Sequence, residues 1–165
     1  MAIVFLSIGS NIGDRLANLQ HMSGCLSLND NIEIVQASSF YETEPWGEKN
    51  QPWFLNAVLQ IKTSLPAKEL LYVCQDIESK LGRNREDENR WGERCADIDI
   101  LFYDNEIIIS DNLKIPHQYI HERAFILVPM LEIAPKFVHP VFGKTIEQLY
   151  DELNNPEEVF LYGTV

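Results

Sequence analysis

At 165 residues the chain suits one domain with a real core, and 45% apolar with 23% charged content excludes global disorder. A net charge of −12 argues against general nucleic-acid binding and against an anionic membrane surface, because both depend on phosphate contacts. The three cysteines, Cys25, Cys74 and Cys95, form no C-x-x-C pair and read as small buried or half-buried thiols, not a zinc site or disulfide frame.

In chain order, residues 2–8 form an apolar run that reads as a buried strand. The run is too short and lacks the basic flank of a secretory signal, and no later run is long enough to span a bilayer, so a reduced, cytoplasmic protein is expected. SIGSNIGD follows, with Asp14 as a helix cap and Leu16, Leu19, Met22 and Leu26 at helical spacing. Residues 32–41 read as a second strand, ETEPWGEKNQPW as a long loop, and residues 55–63 as a third strand. Ser64 is the expected cap of a helix with Pro66 in its first turn and Leu70, Val73, Cys74, Ile77 and Leu81 on its buried stripe; Gly82 ends it. A fourth strand spans Asp97 to Tyr103, and Asp104-Asn105 is placed to turn it into a hairpin with residues 106–110. Residues 123–132 suggest a short helix broken near Pro129, and residues 145–153 another, with Thr145 and Gln148 spaced for a capping box. Strand–helix–strand–strand–helix–strand predicts an α+β protein with a ferredoxin-like βαββαβ core, mainly antiparallel, with helices on one face, as a single domain over residues 1–165.

The run GRNREDENRWGERCADIDILFY carries the strongest chemical signal. Four of the six arginines, Arg83, Arg85, Arg90 and Arg94, precede two aspartates one residue apart, Asp97 and Asp99. On a strand, positions i and i+2 share a face, so both carboxylates project together while Ile98, Ile100 and Phe102 face the other way. Paired carboxylates repel unless a cation lies between them, and hard oxygen ligands suit Mg²⁺; guanidinium groups grip phosphate. Together they read as a polyphosphate site. The same D-x-D pair also fits a solvated sheet face, and Glu86, Asp87, Glu88 and Glu93 are able to neutralise the arginines in a self-paired loop.

A second group crowds the loop before the third strand: Thr43, Glu44, Trp46, Trp53, Phe54 and Asn56. A flat, nitrogen-rich heterocycle needs an aromatic face and an amide that both donates and accepts, which Phe54 and Asn56 offer, with Phe125 as an opposing ring. Phe54 and Phe125 equally fit a core, and Trp46 and Trp53 fit the pinning of a loop. His117 suits a phosphate contact or a satisfied turn. Arg123 begins a helix, where a cation is disfavoured, which suggests an anionic ligand.

Four stretches together resemble the 6-hydroxymethyl-7,8-dihydropterin pyrophosphokinase family of folate biosynthesis: SIGSNIGD, SSFYETEPWGEKNQPWFLNAV, GRNREDENRWGERCADIDIL and IPHQYIHERAFILVPMLEIAP. The resemblance runs from about residue 2 to 145, and RWGERCADIDIL is its most specific block. It implies transfer of pyrophosphate from ATP to the pterin hydroxymethyl group, releasing AMP. Asp97 and Asp99 would hold two Mg²⁺ ions, with Arg83 and Arg94 neutralising charge on the transferred group. Arg85, His117 and Arg123 would hold ATP phosphates; Gln75, Glu78 and Ile100 would line the nucleotide pocket, and Trp91 would close over it as a mobile loop folds down. Phe54 and Phe125 would sandwich the pterin, Asn56 would hydrogen-bond it, and Thr43, Glu44 and Trp46 would complete that pocket beside Asp97. The pattern departs from the common one at Cys95-Ala96, Asn112, Lys114 and Gln118.

Three other readings fit fewer residues: a non-catalytic ligand-binding module of the same topology, an RNA-binding domain, and a nucleotidyl transferase that would release pyrophosphate. A monomer without nucleic-acid or membrane partners is expected. The stretch 154–165 lies beyond the resemblance, and its VFLY segment reads as an added strand or a docked tail.

Overall fold

β1 (Ala2–Ser10) runs through the middle of a six-stranded sheet, hydrogen-bonded on both sides. The computed structural model describes residues 1–45, 49–82 and 94–163. After β1 come α1 (Arg15–Ser27), β2 (Ile32–Ala37), β3 (Phe40–Thr43), β4 (Phe54–Thr63), α2 (Ala67–Lys80) and β5 (Asp97–Tyr103). A small separate sheet of β6 (Ile108–Ile109) and β7 (Lys114–Ile115) follows, then a 3₁₀ turn (Ile120–Glu122), α3 (Ala124–Ile133), α4 (Ile146–Asp151) and β8 (Val159–Gly163). The main sheet runs β5-β1-β4-β3-β8, with β2 also on β4, and its pairings are antiparallel. This is the ferredoxin-like βαββαβ core, with β8 added at one edge.

The sheet buries both faces. Val4, Leu6 and Ile8 of β1, Ala57, Leu59 and Ile61 of β4, and Ile98 and Ile100 of β5 pack under α1 and α2. The opposite face is partly covered as well, by α3 and α4, whose Ile126, Leu127, Met130, Ile146 and Leu149 pack on Phe5, Val58, Leu101 and Phe102. Phe102 therefore departs from the expected alternation. The β1–β5 register shifts between Phe5 and Leu6, pairing Phe5 with Phe102 but Leu6 with Ile100, and leaves Leu101 as the extra residue. A bulge of this kind resets the side-chain phase, so Leu101 and Phe102 both enter the second core.

Other local expectations also shift. The single strand expected over residues 32–41 is two, because Ser38 turns inward: its hydroxyl accepts from the Val58 N–H at 2.9 Å, and the Ser38 N–H donates to the Val58 carbonyl. Ser64 does not cap α2. Pro66 holds that position, and the Ser64 hydroxyl donates to Asn31 instead. Residues 106–110 do not return along β5; β6 pairs with β7. Pro129 sits inside an unbroken α3. Asp14 caps α1 by accepting from the Ala17 N–H, and Thr145 with Gln148 forms the capping box of α4, both as the sequence predicts. Among the described residues no helix is long and apolar enough to cross a membrane.

His139 closes the turn before α4. It is 3% exposed, and its Nδ1 accepts from the N–H groups of Val141 and Phe142. Burial, with His121 nearby, pushes its pKa from 6.5 down to about 4. Between these values the unfolded chain binds a proton that the folded form excludes, so stability falls as pH drops through this window. We expect wild-type stability to decline by on the order of 2 kcal/mol from this group between neutral pH and pH 4. Urea titrations at both pH values should show a smaller decline in His139→Asn; an identical decline would remove His139 as the cause.

Candidate active site

The two aspartates open β5 and share one face, as their spacing predicts. Asp97 lies opposite Gly9 and Asp99 opposite Ser7, both on β1. The strand's start is held by Glu78 of α2, which is 1% exposed and accepts from the Ile98 N–H at 2.8 Å. The Asp99 carboxyl is pushed up from the ordinary aspartate range, first by its protein surroundings and then by Asp97, against the pull of His117, Arg123 and Arg94. A pair whose shared charge is this costly suits a bound cation. Among the described residues no cluster of three or more His, Cys, Asp or Glu side chains surrounds it. On nucleotides Mg²⁺ commonly fills its other positions with phosphate and water, so Asp97 and Asp99 fit as carboxylate ligands for it.

Arg94 stands at the mouth of this pair. Its guanidinium Nη1 reaches Asp97 Oδ2 at 3.4 Å. Its backbone is clamped at both ends by Asn11: the Arg94 N–H donates to Asn11 Oδ1 at 2.7 Å, and the Asn11 N–H donates to the Arg94 carbonyl at 2.9 Å. Asn11 is 2% exposed, and its side-chain amide also donates to Gln51 Oε1 and the Pro52 carbonyl. One asparagine in the first loop thus fastens the end of the arginine segment to the loop before β4.

Beside Asp99 lies a cavity of about 320 Å³ lined by Leu71 and Gln75 of α2, Ile98 to Ile100 of β5, and residues 111–114, 117 and 118. His117 is fixed by donation of its N–H to the Leu101 carbonyl at 3.0 Å. Gln75, Ile100 and His117, all expected at the nucleotide, line this cavity. So do Asn112, Lys114 and Gln118, the positions that depart from the common pattern. Glu78 does not line it; its carboxylate sits behind the wall, on β5.

The same sheet face continues across β1 to β4 and β3. Asn56 is 5% exposed, and its amide donates to Thr43 Oγ1 at 2.7 Å. Gly9 makes this possible. A Cβ there would stand 2.4 Å from Asn56 Oδ1, closer than any real contact. Phe54 and Phe125 are both half-buried on this face, and among the described residues neither ring stacks on the other. Arg123 is 6% exposed, its guanidinium 4.9 Å from the Tyr119 ring centre and 5.4 Å from that of Phe125. Burial lowers its pKa, opposed by Asp99, Asp97 and Glu157. Arginine nonetheless stays protonated in proteins, so a buried cation faces the aspartate pair.

A model of the 7,8-dihydro-6-hydroxymethylpterin-pyrophosphokinase family matches residues 5–135. The chain belongs to this family. The 2-amino-4-hydroxy-6-hydroxymethyldihydropteridine pyrophosphokinase of Methylorubrum extorquens is 43% identical over 154 residues, 93% of this chain and 95% of that protein. The folic acid synthesis protein fol1 of Pneumocystis carinii is 40% identical over 163 residues, covering 96% of this chain but 22% of that longer protein. A crystal structure of Plasmodium falciparum HPPK-DHPS A437G with STZ-DHP superposes with a TM-score of 0.73 at 18% identity. It covers 92% of this chain, which spans 45% of that longer one, and at such identity the likeness carries the fold alone.

For a member of this pyrophosphokinase family, the structure gathers Asp97, Asp99, Arg94, His117, Arg123, Gln75 and Ile100 at one end of the sheet, and Thr43, Phe54, Asn56 and Phe125 beside them on its α3-side face. Glu44 is turned to the chain's end: its N–H donates to the Glu158 carbonyl, and its carboxylate accepts from the Glu158 N–H. Trp53 pins the loop, stacked 6.0 Å from Phe160 of β8. Arg83, Arg85, Trp91 and Trp46 lie outside the described residues. Sequence reasoning missed Gly9 and Asn11, both inside SIGSNIGD. Their glycine and amide chemistry was visible there, but not their partners 47 and 83 residues away, Asn56 and Arg94.

Alanine at Gly9 should force Asn56 off Thr43. The expected result is a pterin affinity about tenfold weaker by calorimetry, a larger loss than any in nucleotide affinity. Equal affinities in variant and wild type would show that Asn56 is not held for the pterin.

Proposed function

We propose that this chain transfers pyrophosphate from ATP to the hydroxymethyl group of 6-hydroxymethyl-7,8-dihydropterin, releasing AMP in folate biosynthesis. The observation that carries the reading is one continuous face holding two chemistries. A paired carboxylate with buried and half-buried arginines adjoins an amide–hydroxyl pair flanked by two half-buried aromatic rings.

The pterin hydroxyl oxygen forms a bond to the β-phosphorus of ATP, the bridge between the α- and β-phosphates breaks, and AMP leaves; the hydroxyl proton passes to water. Little covalent work falls to the protein, so positioning and charge carry the catalysis. Phe54 and Phe125 hold the ring, and Asn56 and Thr43 read its edge, with Trp46 and the backbone beside Glu44 completing the pocket. Asp97 and Asp99 would hold two Mg²⁺, which when bound would neutralise phosphate charge and polarise the attacking hydroxyl. Arg94 and Arg83 steady charge on the transferred group; His117, Arg123 and Arg85 hold phosphates, with Gln75, Ile100 and Trp91 at the nucleotide. We read the chain as one domain over residues 1–165, monomeric and cytoplasmic.

Incubation with ATP, Mg²⁺ and the pterin, with nucleotides resolved by chromatography, tests the reading. AMP should appear only when pterin is present, matched by pterin pyrophosphate. ADP would indicate an ordinary kinase, and free pyrophosphate a nucleotidyl transferase. Binding of both ligands without product would indicate a non-catalytic module.

A further inference from the structure

Glu157 lies beyond the family match at residues 5–135, close to the end of the chain, yet it is 7% exposed. Its two carboxylate oxygens accept the first two N–H groups of α3: Oε1 from Ala124 at 3.0 Å and Oε2 from Phe125 at 3.3 Å. A helix begins with N–H groups that have no partner inside it, and a small polar side chain at the cap position normally accepts one. At α3 the cap position is Arg123, which makes no capping bond. Its cation is also disfavoured there by the helix dipole. Glu157 supplies both missing elements from 33 residues further along the chain: the acceptors and a countercharge.

The place of Glu157 is fixed by its neighbours. Glu158 exchanges two hydrogen bonds with Glu44, and Val159 opens β8 directly opposite Thr43. One short segment therefore joins the Thr43–Glu44 side of the aromatic pocket to the helix turn that carries Phe125 and Arg123. The other end of α3 is tied down separately, through Glu132, which accepts from Ser39 and from the Tyr41 hydroxyl. Without Glu157 the first turn of α3 has no other cap among the described residues.

We propose that Glu157 is a positioning residue for the pterin: by capping α3 from the chain's end it holds the helix turn that carries Phe125 against the strand segment that carries Phe54, Asn56 and Thr43. The proposal rests on the pterin reading of that pocket. An ionised carboxylate is required, because it accepts at both oxygens; a glutamine would turn an NH₂ group toward one of the two N–H donors.

The test is the AMP-release assay on full-length wild type and Glu157→Gln, with KM measured separately for pterin and ATP. The expected result is a pterin KM raised about tenfold, with kcat within about threefold of wild type and the ATP KM raised clearly less than the pterin KM, because Asp99 and Asp97 still face the Arg123 cation. A residue serving stability alone would reduce the active fraction and leave both KM values unchanged, which would overturn the proposal. An equal rise in both would overturn it too. Amide hydrogen exchange on the wild type gives a second reading that needs no variant. Protection of Ala124 and Phe125 comparable to Leu127, inside the helix, is expected; fast exchange at the first two would refute the cap. A wild type that makes no AMP would sink the pyrophosphokinase reading itself. A wild type that turns over, beside a variant with unaltered pterin KM, would sink only the role of Glu157.

Discussion

Replacing Asp97 with alanine should abolish the Mg²⁺-dependent part of ATP binding and lower turnover by about 10³-fold or more. The expectation rests on position. Asp97 is half-buried at the mouth of β5, opposite a glycine, so no β1 side chain fills the space beside it. It shares its face with Asp99, whose carboxyl is pushed up by burial and by Asp97 itself. Removing Asp97 relieves that repulsion but also takes a countercharge from Arg94 and Arg123, so a thermal melt of the variant separates lost activity from lost structure. With one carboxylate of the pair gone, a Mg²⁺ there would lose one of its hard oxygen ligands. Calorimetry of ATP binding with and without Mg²⁺ is the decisive measurement. Wild type should show a large gain on adding the metal and the variant none. Unchanged Mg·ATP affinity in the variant would end the ligand assignment, whatever happened to turnover.

The second large effect is expected at Arg94. Alanine there should lower kcat by about 10³-fold while changing ATP affinity less than about threefold. Arg94 is held by its backbone, through the two hydrogen bonds to Asn11, so truncating the side chain leaves the anchor of the arginine segment intact. Its guanidinium leans on Asp97 at 3.4 Å, a long and weak pairing that a bound metal ion would displace. Freed, it would lie beside the phosphates that carry charge during transfer. A group that acts on charge developing only in the transition state raises kcat without tightening substrate binding. Equal losses in kcat and ATP affinity would mean that Arg94 merely helps to hold ATP.

Much of this site was legible because strand geometry is periodic. The same-face placement of Asp97 and Asp99 needed only the two-residue repeat of β5, and Ile98 and Ile100 follow as its buried partners. Arg123 stood out because a cation at a helix start is disfavoured, and it proved to be buried beside the aspartates. The repeat failed at Phe102. The extra residue Leu101 is visible only once β1 is paired with β5, and no pattern within β5 marks it. Residues 32–41 failed in the same way: the inward turn at Ser38 is made by bonds to Val58, 20 residues on.

Spacing and motifs along the chain were enough for the order of the βαββαβ core, the two capped helices α1 and α4, the paired carboxylates, and the family to which the chain belongs. These depend on spacing within a few residues, or on motifs short enough to read directly. Folding alone brings Asn11 to Arg94, Gly9 against Asn56, and Glu157 to the start of α3. Each of these joins residues between 32 and 83 positions apart in the chain. A buried hydrogen bond or a close backbone approach depends on where the folded chain returns, and local propensity does not encode that return.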